Sequence, residues 1–507
     1  MLIAALVLVG AALRFRGLWW GAPERVDLHP DEVEHVMSHA LAVSLADPDP
    51  KFLNYPSLLI YLIAIANGLA TRLGIVSEPW QSYVVARAIV AAFGTATIAA
   101  VYWLASEMTG SLLAATLAAL WTALLPLHVW ESHFAVTDVV MTFWIVIVLA
   151  ASVRLLGRTS VRDYAAVGAA LGLAVASKYT AALVGLSPLA ASFLVPRPLA
   201  VLLAGFVALG AAAAATGFVG TPFSFLHFGQ FREAMAFEYQ HVHSMHYGFS
   251  LPAVGWQYHK YVYELFAGFP FSFGFALYAS AGAGAAWALA HLRREFVVVL
   301  AFVVPFFAIL GHWTFTPLRY QLPVVVIGAL FAGIWQASWL ENASLTRRTL
   351  AALAVVGTAA YTTVFSFETT ERLRHDTRIE AGHWLDQTLK PGQRLLLCGY
   401  SPYLAIPTDR RIAVEAVNEV WIGKLASRTD FDLVEITGMH YWRHERHRHP
   451  AFEPAYRHFQ SGLTGFRLVK SFDADFLNRD LYRRLDPMFA GYFVSPTLEF
   501  YARAGGD

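Results

Sequence analysis

The sequence predicts a mainly α protein, a polytopic helical membrane bundle of about 11–12 transmembrane helices with a small C-terminal α/β domain. Three observations carry that prediction. The 507 residues are 57% apolar and 14% charged, where a soluble domain carries about 25% charged residues. Apolar segments of spanning length recur as far as residue 367. Beyond residue 370 the pattern changes to short apolar runs separated by charged and Pro/Gly turns. A net charge of +1 with no long basic tract leaves no footprint for nucleic acid. The single cysteine, Cys398, excludes an intramolecular disulfide.

The apolar segments lie at 2–20, 56–74, 82–106, 111–127, 137–153, 162–178, 179–195, 199–219, 263–290, 296–312, 318–338 and 349–367. The first lacks a basic leader region, so it is expected to be a membrane helix rather than a cleaved signal; because the segment is short, a start codon further upstream is expected. Trp19 and Trp20 at its end suit a membrane interface. Arg154, Arg158 and Arg162 mark one connection as cytoplasmic, as do Arg197, Arg293 with Arg294, and Arg347 with Arg348 in three others. An even number of crossings separates each basic connection from the next. On this map a membrane domain, 1–367, precedes an extracytoplasmic α/β domain, 368–507. External loops fall at about 21–81, 128–138 and 220–262. The map places Asn342-Ala-Ser344 inside, so this glycosylation-type triplet is expected to be fortuitous.

Segment 56–74 decides whether the acids near residue 31 share a side with the loop at 128–138. Pro56 begins it, and Asn67, Thr71 and Arg72 interrupt its second half. That composition leaves both arrangements open; the segment is expected to lie on or re-enter the membrane surface rather than to span because both acidic loops then share one face and form one site. In the tail, apolar runs at 394–398, 431–436, 466–469 and 498–501, with a helix-like stretch at 379–389, predict the α/β domain. His227, His241, His243, His246 and His259 lack the spacing of a helical metal pair. The His/Arg-rich strip 440–449 reads as a solvated surface that could still meet an anion.

His29-Pro30-Asp31-Glu32 follows the first apolar run. The proline can start a helix, which places both carboxylates in its first turn, where the helix N-terminus favours their ionised forms. Adjacent acids at the mouth of a membrane segment are costly unless solvated, paired or in use. A second acidic loop runs from Glu131 through His133 to Thr137-Asp138, where a lone aspartate would ordinarily be a helix-start residue. Cations sit at apolar boundaries too: Arg14 and Arg16, Lys178 between two apolar runs, and Arg319 beside Tyr320. Each alone could snorkel. Together, facing two acidic loops, they point to a bound anion such as a lipid phosphate or pyrophosphate.

These motifs, with Asn54-Tyr55-Pro56-Ser57-Leu58-Leu59, Gly172-Leu173, Ser177-Lys178 and Arg319-Tyr320-Gln321-Leu322-Pro323 in this order, resemble the GT-C superfamily of integral membrane glycosyltransferases. The similar group is glycosyltransferase family 39, the dolichyl-phosphate-mannose protein mannosyltransferase and aminoarabinose transferase type. The resemblance implies a GT-C fold and inverting transfer of a sugar from a polyprenyl-phosphate donor to an acceptor hydroxyl on the extracytoplasmic face of a cell membrane. It implies Asp31 as catalytic base, with Glu32 and Asp138 assisting. Substrate contacts are expected at Arg14, Arg16, His29, Tyr55, His133, Lys178, Arg319 and Tyr320. Tyr55 departs from relatives that carry a lysine there, which weighs against the lipid A-modifying branch. The acceptor would be a lipid, a glycan or a protein. No cofactor is required, although a divalent cation is compatible with the superfamily. The competing reading is a transporter or flippase for an anionic lipid-linked substrate; the lack of a two-fold sequence repeat and the clustering of charge at one face weigh against it.

Overall fold

The computed structural model describes residues 2–246, 250–252, 255, 258–398, 404–406, 413–417, 430–448, 452–462, 465–490 and 494–504. The chain divides into two compact units. The first holds residues 1–18, 30–244 and 268–370; the second holds 19–29, 245–267 and 371–507.

In the first unit, α1 (Leu2–Phe15) is followed by α2 (Pro30–Glu32), which passes through a π turn, Val33–Met37, into α3 (Ser38–Ala42). Next come α4 (Leu58–Arg72), α5 (Pro79–Thr109), α6 (Leu112–Leu124), α7 (Pro126–Glu131), α8 (Thr137–Arg154) and α9 (Val161–Ser177). After a 3₁₀ stretch, Tyr179–Gly185, follow α10 (Leu186–Phe193), α11 (Leu199–Gly220), α12 (Pro222–Leu226) and α13 (Phe228–His243). The unit closes with α14 (Phe269–Phe273), α15 (Phe275–Ala290), α16 (Arg294–Leu310), a 3₁₀ turn at Leu318–Gln321, α17 (Leu322–Asn342) and α18 (Leu345–Arg374).

Among the described residues, five helices are long and apolar enough to cross a membrane, or six if the bent pair 264–273 and 275–290 counts as one. Other expected segments are shortened by identifiable breaks. Segment 111–127 ends as a helix at Leu124, because Pro126 excludes Leu125 from helical geometry and starts α7. Segment 263–290, expected as one run, bends by 119° where Gly274 takes a φ of 72°. Segment 56–74 becomes the 15-residue α4, about 22 Å long against a hydrocarbon core of about 30 Å. Leu59, Ile60, Ile63, Asn67 and Ala70 form its buried stripe, while Ile65, Leu69 and Leu73 are exposed.

Lipid-facing surface is plain on α11, where Leu199, Leu203, Val207 and Val219 are exposed. An apolar stripe of that kind on a water-soluble monomer would be an association site. The opposite face of α11 meets α9 through small residues. A Cβ on Gly172 would collide with the Ala213 carbonyl and Thr216 Oγ1, and one on Gly168 with the Leu209 carbonyl. Close backbone approach through small residues is how helices associate where lipid removes the hydrophobic drive between them.

In the second unit, the sheet order is β2-β1-β3-β5-β4, formed by β1 (Arg394–Cys398), β2 (Ala413–Val417), β3 (Leu433–Thr437), β4 (Phe466–Phe472) and β5 (Leu498–Arg503). β1 pairs in parallel with β2 and β3; β5 runs antiparallel to β3 and β4. The strand period of two sorts the core. Leu396, Val434, Ile436 and Tyr501 pack with Phe459 of the helix Phe452–Gln460. Leu395, Leu397, Leu433 and Phe500 pack with Ala381 and Leu385 of α19 (Thr377–Thr388). The four apolar runs of the tail thus became strands; β2 had gone unread. The strip 440–449 forms helix Gly438–His447 as far as the described residues extend, its end at 449 lying outside them. Trp20 does not serve as an exposed interfacial anchor. Its indole N–H donates to Asp376 Oδ2 (2.8 Å), which also accepts from Arg378 Nη2 (2.9 Å) and the Ser495 amide (3.0 Å). Trp19 remains exposed.

The α9–α11 contact gives a direct expectation. Gly172→Leu should lower the thermal unfolding midpoint of the detergent-purified protein, by an overpacking penalty of about 1–3 kcal/mol. Gly210→Leu, on the same α11 where a Cβ meets nothing within 4 Å, should leave it unchanged.

Candidate functional site

Four charged side chains meet at the ends of four separate elements of the first unit. Asp31 sits in the first turn of α2, and Asp138 in the first turn of α8. Lys178 follows the last residue of α9; its extended backbone (φ −158°, ψ 132°) ends that helix before the 3₁₀ stretch begins. Arg319 lies in the 3₁₀ turn that precedes α17. Lys178 Nζ donates to Asp138 Oδ1 at 2.7 Å. Arg319 Nη2 donates to Asp31 Oδ2, and its Nε lies 3.7 Å from Asp138 Oδ2. One arginine is therefore shared between two carboxylates, one of which also holds a lysine.

Aromatic rings line the cations. Lys178 Nζ is 4.2 Å from the Tyr320 ring centroid and 6.0 Å from that of Tyr55, and Arg319 lies 5.5 Å from the Tyr320 ring. Partly desolvated cation–π contacts of this kind are worth about 1–2 kcal/mol. Tyr55 also packs edge-on against His35, whose Nε2 stands 4.0 Å from Asp31 Oδ1. Burial pushes the Tyr55 hydroxyl well above its ordinary value, so it stays a donor. The Asp31 side chain is 26% exposed and that of Asp138 2%, so Asp31 is the more open of the two carboxylates. Opposite charges balance in this cluster, as they must where little water reaches.

Glu32, beside Asp31, turns the other way. Both its oxygens engage Arg87 of α5, Oε1 from Nε at 2.8 Å and Oε2 from Nη2 at 2.7 Å, and both side chains are fully buried. Oε1 also accepts from the Ala135 amide (2.9 Å), and Arg87 Nη1 donates to the Leu18 carbonyl (3.2 Å). Glu32 thus ties α2 to α5 and to the connection ahead of α8, fixing Asp31 relative to Asp138. Arg87 is the residue that sequence reasoning missed. Its signal was present, an arginine inside the apolar segment 82–106.

The remaining expected residues do not join the cluster. Arg14 is fully buried, and its guanidinium donates to the carbonyls of Gly10 (3.0 Å), Ala123 (3.0 Å) and Thr122 (2.8 Å), and meets His128 Nδ1 (2.9 Å). It closes the carbonyls left open where α6 ends. His133 is held between the carbonyls of Val129 and Arg16, 2.8 Å from each. The exposed Arg16 guanidinium lies 4.9 Å from the Phe367 ring. His29 is buried and falls in the second unit. Among the described residues, no group of three or more His, Cys, Asp and Glu side chains is placed to hold a metal ion.

Residues 27–223, less than half of the chain, match the family model described as dolichyl-phosphate-mannose-protein mannosyltransferase. No curated protein matches the sequence. In structure the chain is similar to the oligosaccharyltransferase AglB from Archaeoglobus fulgidus, solved in complex with an inhibitory peptide and a dolichol-phosphate (13% identity, 94% of this chain and 73% of the other, TM-score 0.56). It is similar also to ArnT from Cupriavidus metallidurans in the apo state (16% identity, 98% and 97%, TM-score 0.52) and bound to undecaprenyl phosphate (15% identity, 98% and 97%, TM-score 0.51). At these identities the structural likeness establishes the fold, that of the GT-C integral membrane glycosyltransferases. Within that class, the family match makes this a chain resembling glycosyltransferase family 39.

The buried Glu32–Arg87 pair allows a separation of clamp from chemistry. Arg87→Met alone should destabilise the protein by about 3–5 kcal/mol, because it strands a buried carboxylate. Glu32→Met with Arg87→Met should recover most of that loss. Thermal midpoints of the single and double variants check both expectations.

Proposed function

We propose that this protein transfers a sugar from a polyprenyl-phosphate donor to an acceptor hydroxyl on the extracytoplasmic face, with inversion at the sugar carbon and with Asp31 as general base. The observation that carries the reading is the pairing of Arg319 and Lys178 with Asp31 and Asp138 at one end of the helices. A transferase of this kind needs two things together. It needs a carboxylate within hydrogen-bond reach of the attacking hydroxyl. It also needs fixed positive charge where the departing phosphate gathers negative charge. Asp31 is the more exposed acid and supplies the first; Lys178 and Arg319 supply the second.

In this reading the acceptor oxygen attacks the anomeric carbon from the face opposite the phosphate. The new carbon–oxygen bond forms as the old carbon–phosphate-oxygen bond breaks, and the hydroxyl proton passes to Asp31. The bond-breaking electron pair stays on the phosphate, whose charge Lys178 and Arg319 then hold. Asp138 keeps both cations in place, and the rings of Tyr320 and Tyr55 exclude water from Lys178. Glu32 acts on Asp31 through position alone. No cofactor is required in this reading, because Lys178 and Arg319 supply the positive charge; a divalent cation is compatible with it. The polyprenyl phosphates bound by AglB and ArnT support a donor of that class. The extracytoplasmic face belongs to this reading through the basic connections together with a segment 56–74 that lies on or re-enters the membrane surface rather than spanning it. The acceptor is a lipid, glycan or protein hydroxyl.

Asp31→Asn should reduce sugar transfer from a polyprenyl-phosphate donor by about 10²–10⁴-fold in kcat. Donor KM should change little, because the asparagine still fills the same space and the cations remain. Transfer by the purified variant at a rate near that of the parent would reject Asp31 as base.

A further inference from the structure

Glu131 ends α7, in the connection that leads through Ala135 to Asp138. Its side chain is buried, and among the described residues Oε2 meets no hydrogen-bond donor. The charges that act on the carboxyl are those of Arg319, Asp138, Asp31 and Lys178, the four members of the cluster described above. A buried carboxyl oxygen left without a donor weakens a fold, and an apolar side chain of similar size would serve packing better. A buried polar oxygen that the fold does not use, within electrostatic reach of a cluster of charges, is intelligible as one that a ligand uses. We propose that Glu131 is a further binding residue of this site, holding a hydroxyl of the donor sugar or of the acceptor through its unpartnered carboxyl oxygen. The inference rests on the glycosyl-transfer reading above.

The protonation state suits that task. Burial pushes the Glu131 carboxyl up to about 8, against the downward pull of Arg319. At neutral pH it is therefore an uncharged donor, which leaves Arg319 and Lys178 to the two aspartates and to an incoming phosphate. The charged groups that act on it are Arg319, Asp138 at the start of α8, Asp31 and Lys178 after α9. On α7 itself, His128 is turned to Arg14 of α1, and His133 beyond it lies between two carbonyls. The packed helices α6 and α14 carry no titratable side chain, and α17 carries only Glu341 near its other end. As pH rises through about 8 the carboxyl ionises, loses its proton as donor, and adds a negative charge that competes for Arg319.

The test is transfer by the full-length purified protein from a polyprenyl-phosphate sugar, with Glu131→Leu and Glu131→Gln compared with the parent. Glu131→Leu should keep or raise the thermal midpoint while lowering kcat/KM by about tenfold or more. The loss should appear in donor KM if the sugar hydroxyl is held, and in acceptor KM if the acceptor is. Glu131→Gln, which retains a donor, should stay within about threefold of the parent at neutral pH. It should also lack the parent's decline in activity above pH about 8. A Glu131→Leu protein with unchanged KM and kcat, beside an inactive Asp31→Asn protein, overturns this inference alone. Loss of thermal stability and activity together in both Glu131 variants assigns a structural role and overturns it as well. A parent that transfers no sugar overturns the glycosyl-transfer reading, and this inference with it.

Discussion

A charge at the end of a membrane helix persists only where another charge or dense hydrogen bonding meets it, and that constraint organises the first unit. Asp31, Asp138, Lys178 and Arg319 each come from a different element, yet each has its opposite within the cluster. No single helix could supply this arrangement. Asp138 and Asp31 need helix starts, Lys178 needs a helix interrupted at its end, and Arg319 needs the 3₁₀ turn before α17. Helix ends, rather than helix interiors, thus deliver the four side chains to one place. Irregular backbone within a membrane domain is tolerated where it is buried in protein or lines a water-filled cavity.

Around that cluster the fold works as a frame of buried clamps. Glu32 and Arg87 tie α2 to α5, and Arg14 closes the break between α6 and α7. Both clamps bury a guanidinium completely, and both satisfy carbonyls or carboxylates that would otherwise be stranded. Neighbouring acids of similar appearance consequently have opposite fates. Asp31 stays partly open, with its charge held by a residue that a phosphate could also claim. Glu32 is sealed by an arginine that also donates to the Leu18 carbonyl.

Much of this was legible in the sequence because ionisable residues in apolar surroundings are few and conspicuous. Asp31, Asp138, Lys178 and Arg319 were visible by that rule, and the structure brings them together. The partnerships were less legible. Glu32 and Asp31 are indistinguishable as text, since only the helical turn between them sends one toward α5 and the other toward Arg319. Arg14 reads as a boundary cation, but the open carbonyls of Thr122 and Ala123 depend on a helix end more than a hundred residues away in the chain. Segment 111–127 carried its own warning at Leu125-Pro126, which hydropathy over a spanning window averages away. β2 was hidden by Glu415 within a five-residue run and by its charged flanks.

The central claim is that the two aspartates hold cations that the donor phosphate also claims. Equilibrium binding of a polyprenyl phosphate to the purified protein tests it most directly, with Lys178→Gln and Asp138→Asn measured side by side. The account predicts opposite signs: weaker binding without the lysine, and equal or tighter binding without the aspartate that competes for it. If both substitutions weaken binding alike, the cluster is a structural ion network rather than a phosphate site, and the account is contradicted.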